Sequence, residues 1–194
     1  MEGRYWLQLE WRALAAALGA TGRARDAAIR DALAFRSRRR AVAGAAEAER
    51  ALEINERLPQ YTATVVVNET PKEAAAHAIE QLEAAPRQET LVRTFPYPSG
   101  AAYDVLLDAY APGWTRRIRS TDDLGAMLAA AADLSPAADV ENAALRYGGP
   151  ELLAAEERRD EERQTRIAEL RRRLVDGPCS CFLTGGRTRS SRPA

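Results

Sequence analysis

The residue types that most often perform catalysis or bind metal ions are scarce in this chain. It has a single histidine, His77, and two cysteines, Cys179 and Cys181. His77 lies between alanines on a predicted helix face, where a packed or half-exposed side chain is the ordinary outcome. The cysteines are one residue apart, too close for an ordinary disulfide, and a zinc site needs two more ligands. G-x-S-x-G, Walker and G-x-G-x-x-G motifs are absent.

Two stretches stand out from this background. Residues 52–61 read LEINERLPQY and resemble the N-E-G-x-A-x-Y helix of the gluzincin metallopeptidases, which include thermolysin-like enzymes and aminopeptidase N. Residues 95–103 read FPYPSGAAY and resemble the P-Y-x-x-G segment of the aminopeptidase branch, where a loop enters a helix. The two stretches follow each other in the family's order. They depart from the family's pattern at Arg57, Pro59 and Gln60, where glycine, a small residue and an acid are usual.

The resemblance implies a role for one residue in each stretch. Glu56 takes the position of the third zinc ligand, beside two imidazoles that leave the fourth position to the attacking water. Tyr97 takes the position of the tyrosine whose hydroxyl donates to the oxyanion of the tetrahedral intermediate. The resemblance thus implies zinc as the cofactor of the family and a peptide as its substrate, and it indicates no substrate-binding residue.

The family's H-E-x-x-H motif, which supplies two histidine ligands and the general base, is absent from this sequence. A single carboxylate does not hold a catalytic zinc ion. We therefore expect an incomplete or inactive C-terminal portion of such a peptidase, which binds no zinc by itself and acts on peptides only if an upstream catalytic helix completes it. The sequence alone leaves open whether this chain is an enzyme.

A competing interpretation is a non-enzymatic helical protein–protein interaction module. Glu53 and Glu56 then lie on the solvated face of their helix, and Tyr97 and Tyr103 are partly buried aromatic residues of a helical bundle. The charged helix predicted over residues 150–175 would contact the partner.

Composition narrows the class of protein further. The chain has 194 residues, with 28 basic and 28 acidic side chains, so no overall field attracts nucleic acid or an anionic membrane. It has no apolar run of transmembrane length and no signal-peptide pattern, and the compartment stays undetermined. If a catalytic helix is missing, the apolar surface it covered would favour self-association.

The fold class predicted from these features is mainly α, an irregular multi-helix array. Alanine, with 40 residues, favours helices over strands. Apolar spacing and capping residues predict helices over residues 3–19, 24–41, 45–58, from Thr70 onward, 99–110, from Asp122 to Leu128, from Ser135 to Tyr147, and 150–175.

Three further predictions concern particular segments. Residues 62–67 read TATVVV, for which a short strand is one alternative because of the β-branched residues. Arg38, Arg39 and Arg40 are interpreted as a solvated helix end. The helical domain is predicted to span residues 1–178, and the tail 179–194, rich in glycine, serine and arginine, is predicted to be disordered.

Overall fold

The computed structural model describes residues 2–43, 46–47, 49–53, 70–87, 91 and 94–176. Throughout these ranges the regular structure is helical and no strand occurs, which confirms the mainly α prediction. The alternative strand at 62–67, the domain boundary at 178 and the tail at 179–194 lie outside the described residues.

Seven α-helices with defined bounds lie in the described part of the chain. They are α1 (Glu2–Gly19), α2 (Gly22–Ala43), α3 (Pro71–Ala84), α4 (Pro96–Tyr110), α5 (Leu124–Ala132), α6 (Val140–Arg146) and α7 (Gly149–Leu174). Residues 46–47 and 49–53 are also helical, and we call them the Glu53 segment. The chain divides into two compact units, Met1–Glu157 and Arg158–Ala194.

Helix α1 is the centre of the first unit. Every residue from Tyr5 to Trp11 is buried, so this stretch is covered on all sides of the helix rather than on one stripe. Helices α2, α3 and α4 pack against it. Trp6 stacks on Phe35 of α2 with ring centroids 6.1 Å apart, and Phe35 meets the edge of Tyr147 at 5.7 Å. These aromatic contacts anchor an otherwise alanine-rich core.

The predicted start of α3 is confirmed in its hydrogen bonds. The amide of Glu73 donates to Thr70 Oγ1 at 3.2 Å, and the amide of Thr70 donates to Glu73 Oε2 at 3.0 Å. Pro71 occupies the first turn, where its missing N–H costs nothing. This reciprocal pair is a capping box, which the sequence signals by a threonine at position 70 and a glutamate three residues later.

The predicted start of α4 at residue 99 is wrong, because the helix begins at Pro96. Pro96 and Pro98 both fall within the first turn, whose N–H groups have no partner inside the helix. The two prolines therefore belong to the helix and not to a loop. As a consequence Tyr97 is a helical residue in the first turn of α4.

The predicted start of α5 at Asp122 is displaced by one residue. Asp123 is the cap, and its Oδ1 accepts from the amide of Ala126 at 2.9 Å. Asp122 instead accepts from the amide of Arg119 at 2.7 Å, which closes the preceding turn. Asp122 and Asp123 are adjacent, and either carboxylate matches the pattern of a helix cap in the sequence.

The predicted helix start at Ser135 is also wrong. Helix α6 begins at Val140, after the cap Asp139, whose Oδ1 accepts from the amide of Asn142 at 3.0 Å. The amide of Ala137 donates to the carbonyl oxygen of Arg30 in α2 at 2.9 Å. This tertiary hydrogen bond ties the segment before α6 to α2.

Within the described residues, no helix has both the length and the apolar character needed to cross a bilayer.

We predict that Gly125→Ala destabilises the first unit by about 1–3 kcal/mol, because an added Cβ would lie 2.8 Å from Cδ and Nε of the buried Arg36. Gly3→Ala is the matched control, since a Cβ there meets nothing within 4 Å, and alanine favours the helix. Urea unfolding of both variants measures the two changes. Equal stabilities would contradict the tight contact at Gly125.

Candidate functional site

The most distinctive feature of the first unit is a buried group of charged side chains drawn from several elements. We call it the arginine–carboxylate cluster, and its members are Glu10 of α1, Arg36, Arg39 and Arg40 of α2, Glu49 and Glu53 of the Glu53 segment, Tyr103 of α4 and Asp123 at the cap of α5. Helix α2 contributes all three cations, because residues 36, 39 and 40 fall on one helical face.

Arg36 is the centre of the cluster, and its side chain is only 4% exposed. Its Nη1 donates to Glu53 Oε1 at 2.7 Å, and its Nη2 donates to Glu53 Oε2, which makes the pair bidentate. The same guanidinium reaches Glu10 Oε1 at 3.3 Å and Asp123 Oδ2 at 3.2 Å. The planar fork of arginine suits this arrangement, and lysine could not reproduce it. Burial is the largest effect on the pKa of Arg36 and acts to lower it. Glu53, Tyr103 and Glu10 together outweigh burial and raise this pKa well above its ordinary value.

Glu10 is fully buried in the middle of α1 and is held by three donors. Arg39 Nε donates to its Oε2 at 3.1 Å, Arg36 donates to its Oε1, and the hydroxyl of Tyr103 donates to its Oε1 at 3.0 Å. Burial alone would raise the pKa of Glu10. The charges of Arg39 and Arg36 and the Tyr103 hydrogen bond outweigh burial, and the pKa lies below its ordinary value. Glu10 is therefore ionised at neutral pH.

The outer part of the cluster connects α2 to the Glu53 segment and to α5. Arg40 Nη1 donates to Asp123 Oδ2 at 2.5 Å, its Nη2 donates to Glu53 Oε2 at 3.2 Å, and its Nε donates to Glu49 Oε2 at 3.3 Å. Arg39 also forms an ion pair with Glu49. The pKa of Asp123 is lowered, because the charge of Arg36 and the hydrogen bond from Arg40 outweigh the opposing effect of burial.

Three contacts hold Phe95 and helix α4, which carries Tyr97, two of them with arginines of the cluster and one with α1. The guanidinium of Arg39 lies 5.2 Å from the ring centroid of Phe95, just before the helix, and that of Arg36 lies 4.9 Å from the Tyr103 ring. Between them, the indole Nε1 of Trp11 donates to Ser99 Oγ at 2.7 Å. The position of the Tyr97 backbone is thus set from both sides.

A groove of about 270 Å³ lies beside the cluster, between α2 and α5. Its lining is largely apolar, with Leu33, Ala129 and Pro136, and it also includes Arg40 and Asp123. Asp123 already neutralises Arg40 there. The groove therefore offers no unbalanced positive charge to an anionic ligand.

The structure describes one of the two site residues implied by the resemblance. Tyr97 is half-buried in the first turn of α4, with its amide 3.3 Å from the carbonyl oxygen of Thr94. Glu56 lies outside the described residues, so its relation to Tyr97 stays a prediction. His77 is partly buried on α3, with Nε2 2.7 Å from Gln81 Nε2, and its prediction as a packed or half-exposed side chain is confirmed.

Three interpretations from the sequence are wrong. Glu53 is 1% exposed instead of solvated, and Tyr103 is fully buried instead of partly buried. Arg39 and Arg40 belong to the cluster and do not form a solvated helix end. The sequence did contain one signal for the cluster, because Glu10 interrupts an apolar stretch of α1, and a charge in such a place requires a partner.

The described residues do not by themselves fit a zinc site, because they contain no group of three or more histidine, cysteine, aspartate or glutamate side chains suited to a metal ion. The carboxylates of the cluster are engaged by arginine instead. No known protein family, curated protein or solved structure gives a significant match to this chain.

We predict that Asp123→Asn lowers the free energy of unfolding by about 1–3 kcal/mol at pH 7, because asparagine keeps the helix cap but removes the charge that Arg36 and Arg40 contact. The folded-state pKa of Asp123 is depressed, so its contribution is present above the unfolded pKa and is lost as the pH falls. The difference in free energy of unfolding between wild type and variant, measured by urea unfolding, should therefore decrease as the pH is lowered from 7 to 3.

Asp160→Asn is the matched control, because Asp160 is partly exposed on α7 and its ion pair there is with the half-exposed Arg163. Its effect should stay below about 0.5 kcal/mol. A gap for Asp123→Asn that does not change with pH would contradict the electrostatic role given to this carboxylate.

Proposed function

We propose that this chain is a portion of a gluzincin-type zinc metallopeptidase, in which Glu56 is the third metal ligand and Tyr97 is the oxyanion-stabilising hydroxyl. The two histidine ligands and the general base would come from an H-E-x-x-H helix outside these residues. On this proposal, the chain by itself hydrolyses no peptide.

One observation supports this proposal more than any other. Arg36 binds Glu53, which lies three positions before Glu56, and also binds Glu10, which accepts from Tyr103, six positions after Tyr97. The two stretches that resemble the peptidase family are far apart in the chain, yet each contains a residue of the same cluster, Glu53 in the first and Tyr103 in the second. A shared anchor of this kind is what two groups need if they are to act on one reacting centre.

The cluster itself fits a positioning role better than a chemical one. Its carboxylates are engaged by arginine or tyrosine donors, and the lowered pKa values of Glu10 and Asp123 make them poor proton donors at neutral pH. Burial, followed by the charge of Glu10, raises the pKa of Tyr103 well above its ordinary value, so this hydroxyl is also not an acid at neutral pH. On the proposal, the chemistry belongs to the residues next to the cluster.

A second candidate function, the interaction module, is favoured by a different observation. In the second unit, Ile167 is 46% exposed, Leu170 is 43% exposed and Leu174 is 78% exposed. These side chains follow helical spacing along α7. Aligned apolar residues on an exposed helix are typical of a surface that binds another helix.

We predict that positions 56 and 97 lie close enough to be cross-linked. In a chain with Cys179→Ser and Cys181→Ser, Glu56→Cys together with Tyr97→Cys should react with a bis-maleimide that spans about 10 Å, the width of one helix. We expect this cross-link because, in the family, both side chains reach the same zinc-bound centre and therefore lie close together. Mass spectrometry of the digested chain identifies the linked peptides.

The control pair combines Glu56→Cys with Glu80→Cys, which is exposed on α3, and each single cysteine variant sets the background. If the 56–97 pair gives no more product than the control pair, the two motifs do not share a site and the proposed function fails.

We also predict that the purified chain binds zinc no more tightly than micromolar, since a tight catalytic site needs three protein ligands and the chain has one histidine. Competition with a chromogenic chelator measures the affinity. The control carries Cys179→Ser and Cys181→Ser. Stoichiometric nanomolar binding that survives both changes would show that the chain holds a complete metal site and would contradict the incompleteness proposed above.

A further inference from the structure

The second unit presents apolar side chains to solvent along one face of α7. Ile167, Leu170 and Leu174 are spaced by three and four residues, which places them on a single stripe. In a heptad labelled from Ile167, they occupy the a, d and next a positions. These are the positions through which one helix packs against another.

Arginines flank this stripe on both sides. Arg166 and Arg173 occupy g positions, Arg171 occupies the e position, and all three are exposed. Among the described residues, no carboxylate lies within ion-pair distance of Arg166 or Arg173, and Arg171 reaches only Asp176 at 4.0 Å. We call the three aliphatic residues and these three arginines the arginine-flanked stripe.

A second copy of the chain is a poor occupant for this surface. In a parallel pair, the g residue of one helix faces the following e residue of the other, which brings Arg166 against Arg171. In an antiparallel pair, g faces g and e faces e, which again brings arginine against arginine. Both orientations therefore place like charges beside the apolar contact.

We propose that the arginine-flanked stripe binds an amphipathic helix of a partner protein that carries apolar residues at its a and d positions and glutamate or aspartate beside them. Such a helix covers Ile167, Leu170 and Leu174 and pairs its carboxylates with Arg166, Arg171 and Arg173. Charge complementarity selects this partner, because the same arginines repel a second copy. The inference does not depend on the metallopeptidase proposal.

A membrane surface fits the stripe less well. Interfacial helices combine a broad apolar face, often with aromatic residues, with a basic polar face. Here the apolar face is a narrow stripe of three aliphatic side chains, and Glu161, Glu162 and Glu169 lie on the exposed surface of the same helix. These carboxylates would be repelled by anionic lipid headgroups.

Titration of the full chain with a fluorescent probe peptide tests the proposal. The probe is about three heptads long, with leucine at a and d and glutamate at e and g. We expect micromolar binding by fluorescence anisotropy, weakened by added salt because the flanking pairs are exposed. A control peptide with lysine in place of glutamate should bind at least about tenfold more weakly, because three attractive contacts become repulsive.

Variants of exposed residues locate the binding surface without unfolding the helix. The triple variant Arg166→Glu, Arg171→Glu, Arg173→Glu should lose the acidic probe and bind the lysine peptide instead. The triple variant Ile167→Ala, Leu170→Ala, Leu174→Ala should lose both, while alanine preserves helicity in circular dichroism. Arg172→Glu is the matched control, because position 172 is the f position on the opposite face, and it should leave binding of the acidic probe within about twofold.

Three results would overturn the proposal. One is equal binding of the acidic and lysine peptides, and another is binding that Arg172→Glu weakens as much as Arg171→Glu does. The third is evidence that something else occupies the stripe. A dimer seen by sedimentation and abolished by Leu170→Ala would identify a second copy as the occupant. Binding to vesicles of phosphatidylcholine and phosphatidylserine, by a chain that does not bind the acidic probe, would identify a membrane surface.

Discussion

The ion pairs of Arg36 with Glu10 and Glu53 are the interaction on which the first unit depends. Removing one partner of such a buried pair leaves an uncompensated charge and typically costs about 3–5 kcal/mol, a large part of the stability of a small domain. The three side chains come from α1, α2 and the Glu53 segment, while Tyr103 and Asp123 add α4 and α5. One guanidinium therefore constrains how five parts of the chain meet.

This constraint matters because the surrounding core is rich in alanine. Small side chains let helices approach closely, but they provide few large knobs to distinguish one packing arrangement from another. The large buried residues are spread over several elements, with Trp6 and Trp11 on α1, Phe35 on α2, Tyr103 on α4 and Leu128 on α5. Where hydrogen bonds from four arginine or tyrosine donors must all find carboxylates, few alternative packings satisfy them. The cluster thus adds to the geometric selectivity that the packing of the apolar core provides.

Sequence reasoning succeeded where the controlling interactions are local, as at the capping box of Thr70 and Glu73. It failed for Glu53, Arg39 and Arg40, which were interpreted as solvated because isolated charges on a helix usually are. Arg39 pairs with Glu10 and Arg40 pairs with Asp123, which are distant in the chain. Glu53 pairs with Arg36 in a different helix, and no periodicity connects these residues. Tyr97 could be placed near a helix start from its motif, but its anchoring by Ser99 and Phe95 depends on Trp11 and Arg39, which the motif does not contain.

The two units use arginine in opposite ways. In the first unit, Arg36 and Arg39 are buried, and their charges are satisfied by carboxylates of the same chain. Because these ion pairs occupy the guanidinium groups, Arg36 and Arg39 are poorly placed to bind a ligand. In the second unit, Arg166 and Arg173 stand exposed beside an apolar stripe without an ion-pair partner among the described residues. Because the desolvation cost of an exposed guanidinium is small, its charge is available to select a partner, and recognition is therefore best sought on α7 rather than at the cluster.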